Sequence, residues 1–552
     1  MLEQNLIRIY ERSFCDNREL PALTDYFKKE TFSYFEMAKA IAKLHLLFRE
    51  CRIERGDKIA LLGRNNPRWC IAYLATITYG AVIVPILQDF SPNDIQHIIN
   101  HSDSKLLFIG DAHWDVIDTD NIENVKAAFS LTDFRCIFDR KGNSIKKFQQ
   151  EINRHYRKKY PKGFTTDNIV YPEIGNNEVA VLNYTSGTTG FSKGVMITIN
   201  NLTGNVVFGT GKIHFRASRG LSFLPLAHTY GCMFDLLLPM STGSHITLLG
   251  KTPAPKVLLE AAAEVKPDVI ICVPLIVEKI YRKMIKPQLG KGMVRMAMKL
   301  PLLDATINAK IRNGLIEAFG GQAEQIIIGG APLNGEIEEF LHKIKFPFTV
   351  GYGMTECAPL ISYTNYKYFI PASCGQVLKG FMEVRIDSPD PYNIPGEICV
   401  RGENVMKGYY KNQQATDEIF THDGWLLTGD IGTVNSEDTI FIRGRSKTMI
   451  LGASGQNIYP EEIESKLNNM RCVMESLVVE RDGKLVALVY PDYEQADYEG
   501  VSHGQMQAVM DENLAVLNTI VAPYEQIIAI ILWPNEFEKT PKKSIKRYLY
   551  NV

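Results

Sequence analysis

The chain has 552 residues, 45% apolar and 22% charged, and its 61 basic and 62 acidic side chains give a formal net charge of −1. That length exceeds what one hydrophobic core supports, so two or more domains are expected, and the composition excludes a disordered or fibrous protein. Balanced charge argues against a nucleic-acid binder, which needs a basic surface, and leaves small anionic ligands open.

The first stretch, "MLEQNLIRIYERSF", is too charged for the apolar segment of a secretion signal, which makes the cytoplasm the default location. The ten cysteines are scattered without a Cys-x-x-Cys pair. They read as core residues in a reducing compartment and indicate neither a zinc ribbon nor a disulfide framework.

Next, "FSYFEMAKAIAKLHLLFRECR" carries apolar residues at helical spacing, and "DKIALLG" reads as a short strand. Residues 70–87, "CIAYLATITYGAVIVPIL", are uncharged and approach membrane-spanning length. Gly80 at a natural helix stop and Pro85 within a β-branched run make them a buried helix followed by a buried strand instead. No transmembrane segment is expected, and membrane contact, if it occurs, is peripheral.

"SKLLFIG", "EVAVLNY", "GLSFLPL", "PDVIICVP" and "EQIIIGGAP" continue the alternation of apolar runs with helical patterns. This is the signature of an α/β fold with parallel-rich sheets flanked by helices, in which ligands collect at the carboxyl ends of strands. Three loops occupy such ends and are expected to converge on one edge: "TSGTTGFSKG" after "VAVLNY", "GGAPLNG" after "QIII", and "GYGMTE" after "PFTV".

The first of these loops, Thr185, Ser186, Gly187, Thr188, Thr189, Gly190 through to Lys193, concentrates backbone amides and hydroxyls on one concave surface, which suits phosphate. Its spacing is not that of the nucleotide-kinase loop, because Ser192 precedes Lys193 and Gly194 follows it. A glycine cluster alone also fits an ordinary surface turn; the lysine and the strand leading in weigh against that. Past Ile442 the texture changes to a short helix and then "ESLVVERDGKLVALVYPD", where Asp482-Gly483 separates two alternating runs as in a β-hairpin.

In order, "YTSGTTGFSKGV", "LPLAH" (224–228), "GGAP" (329–332), "GYGMTE" (351–356), "TGD" (428–430) and "RGRSK" (443–447) closely resemble the adenylate-forming superfamily. The likeness runs from about Phe32 to Tyr550, and "LPLAH", "GRSK" and "SGQNIYPEEIE" look most like long-chain fatty acyl-CoA synthetases. It implies a large N-terminal domain, residues 1–444, and a small mobile α+β domain, residues 445–552, with a hinge near Lys447. It also implies a two-step reaction with ATP, Mg²⁺ and coenzyme A: a fatty acid forms an acyl adenylate, and a thiol then displaces AMP.

Carried over residue by residue, the loop from Thr185 to Lys193 would cradle the β- and γ-phosphates. Glu356 would hold Mg²⁺ and Thr355 would touch the α-phosphate. Tyr352 would stack on adenine, with Gly330 and Ala331 lining the base and Gly353 beside them. Asp430 would accept from the ribose hydroxyls, Arg445 would bind ribose or phosphate, and His228 would sit near the carboxylate or acyl entrance. Lys447 would be the pivot, and residues 452–457, Gly455 among them, would form the pantetheine channel.

Three positions depart from the family pattern. Ser192 replaces a common proline, Ile199 stands where many relatives have histidine, and Ser544 of "TPKKSIKRYL" takes the place of the adenylation lysine, for which Lys543 is the nearest substitute. Three readings follow: a fatty acid–CoA ligase, an adenylating ligase serving an acyl carrier protein or an aryl acid, and a binding pseudoenzyme lacking the lysine.

Overall fold

The computed structural model describes residues 1–185, 193–213, 218–250, 254–289, 300–451, 457–481, 483–540 and 545–550. These residues build two seven-stranded sheets, a four-stranded antiparallel sheet and a smaller C-terminal α+β unit, which makes the fold α/β as the alternating runs imply.

The first large sheet runs Cys136–Asp139, Ala127–Ser130, Ser104–Ile109, Lys58–Leu62, Val82–Ile86, Val179–Thr185 and Lys193–Thr198 from edge to edge. Its interior pairs are parallel and its two outermost pairs antiparallel. The second runs Phe348–Val350, Gln325–Ile328, Val269–Cys272, Arg219–Ser222, His245–Leu248, Pro21–Asp25 and Glu30–Ser33, and its last pair is antiparallel. Interior strands such as Ile59 to Leu62 and Ile326 to Ile328 are almost wholly buried, as expected of parallel strands covered by helices on both faces.

Local chemistry sets the helix ends. Ser33 caps the helix Tyr34–Glu50, and its side chain and that of Glu36 form a reciprocal capping box. Asn66 caps the helix Pro67–Tyr79, proline occupies the first turn, and Gly80 ends it at φ 88°. The uncharged stretch 70–87 therefore resolves into this buried helix and the strand Val82–Ile86, and no described helix is long and apolar enough to cross a membrane.

The four-stranded sheet, Met382–Asp387, Gly396–Gly402, Leu426–Val434 and Ile440–Arg445, follows the second large sheet in the chain. Beyond it, Val473–Arg481 pairs antiparallel with Lys484–Pro491, with Arg481 opposite Lys484, and Ala529–Leu532 adds in parallel; Asp482 lies outside the described residues. One apolar cluster holds buried residues from Leu6 to Ile440, while Ile458 to Ile530 form a separate one. The ten cysteines are unpaired, and eight of them are buried.

The helix Gly335–Lys343 starts at Asn334, whose side chain accepts from the Ile337 N–H. One turn in, the buried Glu338 accepts a hydrogen bond from the Ala372 N–H at 3.1 Å. Burial pushes its carboxyl up to about 7. Because the folded value lies above the unfolded one, its contribution is fully present below the ordinary glutamate pKa, about 4.3, and is lost as the pH rises through about 7. Glu338→Gln keeps an acceptor for Ala372 and removes the charge, so its melting temperature relative to wild type should climb by a few degrees from mildly acidic to mildly alkaline pH. A constant difference across that range in thermal melts would contradict the assignment.

Candidate active site

The strand Val179–Thr185 and the returning strand Lys193–Thr198 pair with Thr185 opposite Lys193. The glycine-hydroxyl loop, Ser186 to Gly190 and Ser192 included, lies outside the described residues; its two posts do not. Asn183, a polar residue inside an apolar run, donates to the Ala227 carbonyl at 3.0 Å. Asn65 holds the same segment from the other side, donating to the Leu224 carbonyl at 2.6 Å and accepting from the Leu226 N–H at 3.0 Å. "GLSFLPL" is consequently a strand only to Ser222: Asn65 satisfies the backbone that a longer strand would have paired. This loop presents the half-buried His228 at the start of a short helix, Thr229–Cys232.

The strands Gln325–Ile328 and Phe348–Val350 are parallel neighbours in the second sheet. They deliver Gly330, at φ 85°, with the exposed Ala331, and the segment 351–356. The expectation of three loops on one edge is thus corrected. Two come from the second sheet and the glycine-hydroxyl loop from the first, because the alternating sequence pattern identifies strands without assigning them to sheets. Tyr230 underlies the loop of the second sheet, donating to the Cys272 and Ile327 carbonyls at 3.2 and 3.1 Å.

The segment 404–410 stitches the two sheets together. Met406 N–H donates to the Glu356 carbonyl, Met196 N–H to the Gly408 carbonyl, and Tyr410 N–H to the Gly194 carbonyl, at 2.7 to 2.9 Å. Thr355 and Glu356 lie buried in a single 3₁₀ turn, Thr355–Cys357. Tyr409 donates its hydroxyl to Glu356 Oε1 at 2.9 Å, and Lys193 Nζ lies 4.9 Å from the centroid of the same ring. Gly353 is exposed, yet a Cβ there would lie 2.2 Å from the Pro359 carbonyl oxygen, so only glycine allows this close strand return.

Asp430 closes the arrangement. It is 6% exposed, accepts from Tyr352 Oη at 2.7 Å and sits 3.0 Å from Arg445 Nε. Burial raises its carboxyl above the ordinary aspartate range, and Arg445 and Tyr352 pull it back. Arg445, which ends the last strand of the four-stranded sheet, keeps 70% of its side chain in solvent. Lys447 is exposed in the turn that follows, and Ile199 is buried at the head of the helix Ile199–Lys212. Gly455, Lys543 and Ser544 lie outside the described residues.

The structure therefore brings Lys193, Glu356 and Tyr409 together, joins Tyr352, Asp430 and Arg445 in a second group, and leaves His228 on a loop anchored by Asn65 and Asn183. Sequence reasoning missed Asn65, Asn183 and Tyr409; the sole local hint was an asparagine within the apolar strand "VAVLNY". Among the described residues, no cluster of three or more His, Cys, Asp or Glu side chains could cage a metal. Magnesium suits Glu356 nonetheless, since that ion is commonly held by one or two carboxylates plus substrate phosphates, and Glu356 has a second carboxylate oxygen beyond the one that Tyr409 engages.

A mouse (Mus musculus) protein named long-chain-fatty-acid–CoA ligase is 28% identical over 490 residues, which cover 79% of this chain and 68% of that one. Long chain acyl-CoA synthetase 3 of Arabidopsis thaliana is 27% identical over 515 residues, 85% and 75% of the two chains. In fold, an anthranilate CoA ligase solved in complex with anthranoyl-AMP superposes with a TM-score of 0.79 at 18% identity, covering all of this chain and 97% of that one. The family model for AMP-binding enzymes matches residues 11–410, so this chain belongs to the AMP-binding enzyme family, the adenylate-forming acid–thiol ligases, and resembles most the long-chain acyl-CoA synthetases among them.

Proposed function

We propose that this protein activates a fatty acid of medium or greater length with ATP and transfers the acyl group to coenzyme A. In the first step a carboxylate oxygen attacks the α-phosphorus in line and pyrophosphate leaves. In the second, the thiol sulfur attacks the acyl carbon, the bond from that carbon to the phosphate oxygen breaks, and AMP departs. Neither step needs a protein nucleophile; both need anionic groups held together and neutralised. The observation that carries the reading is the pairing of Lys193 and Glu356 through Tyr409 at the posts of the glycine-hydroxyl loop.

In this reading Thr185, Lys193 and the loop between them hold the β- and γ-phosphates, and Thr355 touches the α-phosphate. Glu356, oriented by Tyr409, holds Mg²⁺, which supplies charge neutralisation at the phosphates. Gly330, Ala331 and Gly353 line the adenine and Tyr352 stacks on it. Asp430 binds the ribose hydroxyls, with Arg445 reaching ribose or phosphate. His228 stands at the carboxylate entrance. The small domain, residues 445–552, turns about Lys447 between the steps and brings Gly455 to the thiol.

Labelled pyrophosphate should exchange into ATP only when a carboxylic acid is present, and faster with medium or long fatty acids than with short or aromatic ones. Absence of exchange with every acid, alongside measurable ATP binding, would contradict the enzyme reading.

Glu356→Gln should slow adenylation by about a hundredfold or more, and added magnesium should not restore it. Tyr409→Phe, which keeps the ring and loses the hydroxyl, should raise the magnesium concentration for half-maximal rate and preserve the maximum. Magnesium titrations check both, and full activity of Glu356→Gln at limiting magnesium would refute the role.

Ser544 favours a second reading, a binding protein without adenylation, against which we set Lys543 as the substituting cation. Lys543→Ala should slow adenylation at least about tenfold, roughly 1.4 kcal/mol, and leave thioester formation from supplied acyl adenylate near normal. If Lys543→Ala is neutral and Ser544→Lys accelerates adenylation steeply, the substitution is misassigned.

A further inference from the structure

A cavity of about 60 Å³ lies between the helix Tyr34–Glu50 and the segment 160–172, and none of its lining residues belongs to the nucleotide-facing motifs. By the space one water needs, this is room for roughly four waters, or a ligand of a few heavy atoms. Tyr171 forms part of its wall, is 7% exposed, and has a buried hydroxyl with no hydrogen-bond partner among the described residues. The ring is fixed in place: its backbone N–H donates to Glu11 Oε1 at 2.6 Å, and His45 meets it edge-on at 5.7 Å. Burial keeps the phenol protonated, so it is a donor awaiting an acceptor.

The charge of the lining specifies the acceptor. Arg49 is the one Lys or Arg among the lining residues, and no carboxylate is among them. His45, also in the lining, is neutral because burial lowers it to about 4, and its Nε2 is engaged by the Ala75 carbonyl and Thr78 hydroxyl. In the adjoining segment Arg157, Lys158, Lys159 and Lys162 are exposed, and Arg154 pairs with Glu151 Oε2 at 2.8 Å. The remaining wall is apolar and aromatic: Tyr160 and Phe164 pack edge to face at 5.0 Å, beside Ala42 and Val170. A bare inorganic anion would leave those surfaces uncovered, whereas an organic acid fills them.

We infer that this cavity binds a small organic monocarboxylate, its oxygens received by the Tyr171 hydroxyl and the Arg49 guanidinium and its apolar body lying against Tyr160 and Phe164. The site is independent of the nucleotide site. Isothermal titration of the full chain with propionate, and separately with inorganic phosphate, tests it in wild type, Tyr171→Phe and Arg49→Gln. Propionate should bind saturably, with both variants weakening it about tenfold, and phosphate should bind at least about tenfold more weakly than propionate. Tyr171→Phe retains the ring and should melt like wild type, so it decides the matter if Arg49→Gln disturbs the fold. Propionate affinity unchanged in Tyr171→Phe places the carboxylate elsewhere, the nucleotide site included, and overturns the assignment. Phosphate binding as tight as propionate, or no saturable propionate binding, overturns it equally.

Discussion

The candidate site depends on one buried carboxylate. Asp430 joins two sheets: Tyr352 follows the strand Phe348–Val350 of the second large sheet, and Arg445 is the cross-strand partner of Asp430 in the four-stranded sheet. Taking a carboxylate out of water is costly unless donors replace the lost hydration, and here a phenol and a guanidinium do so. The two donors are not equivalent. Tyr352 is as buried as Asp430, while Arg445 remains largely in solvent and leads directly into the turn containing Lys447. Arg445 is therefore the donor on the wet side, where an ion pair contributes least.

A second constraint works through backbone. The segment 404–410 pairs with Glu356 and also with Gly194 and Met196, so the posts of the glycine-hydroxyl loop and the 3₁₀ turn of Glu356 hold a fixed spacing. Tyr409 uses that spacing to meet Glu356 with its hydroxyl and Lys193 with its ring face. A carboxylate and an ammonium are thus poised on one side chain without forming an ion pair with each other. Both remain able to engage an anionic ligand and its metal, the arrangement that phosphoryl chemistry rewards.

What the sequence made legible was local. Gly80 as a helix stop, the antiparallel pairing of Val473–Arg481 with Lys484–Pro491, the helix over 34–50 and the loops at strand ends all follow from spacing, caps and glycine, which act within a few residues. Contacts between distant residues were not legible. Asn65 clamps a loop 159 residues away, and Tyr409 reaches Glu356 across 53; such hydrogen bonds leave no periodic trace. The assignment of three loops to one edge failed for the same reason, since alternation reveals parallel strands and not which sheet each joins. Asn183 was readable in principle, because an amide inside a buried strand needs a partner.

In the proposed reaction the carboxylate of the substrate bonds directly to the α-phosphorus of ATP. A single turnover with a fatty acid labelled by ¹⁸O in both carboxylate oxygens, followed by mass spectrometry of the nucleotide and pyrophosphate, tests it most directly. The released AMP should carry one ¹⁸O in its phosphate and pyrophosphate none, because thiol attack breaks the bond between the acyl carbon and that oxygen. Unlabelled AMP, or label in pyrophosphate, would contradict it.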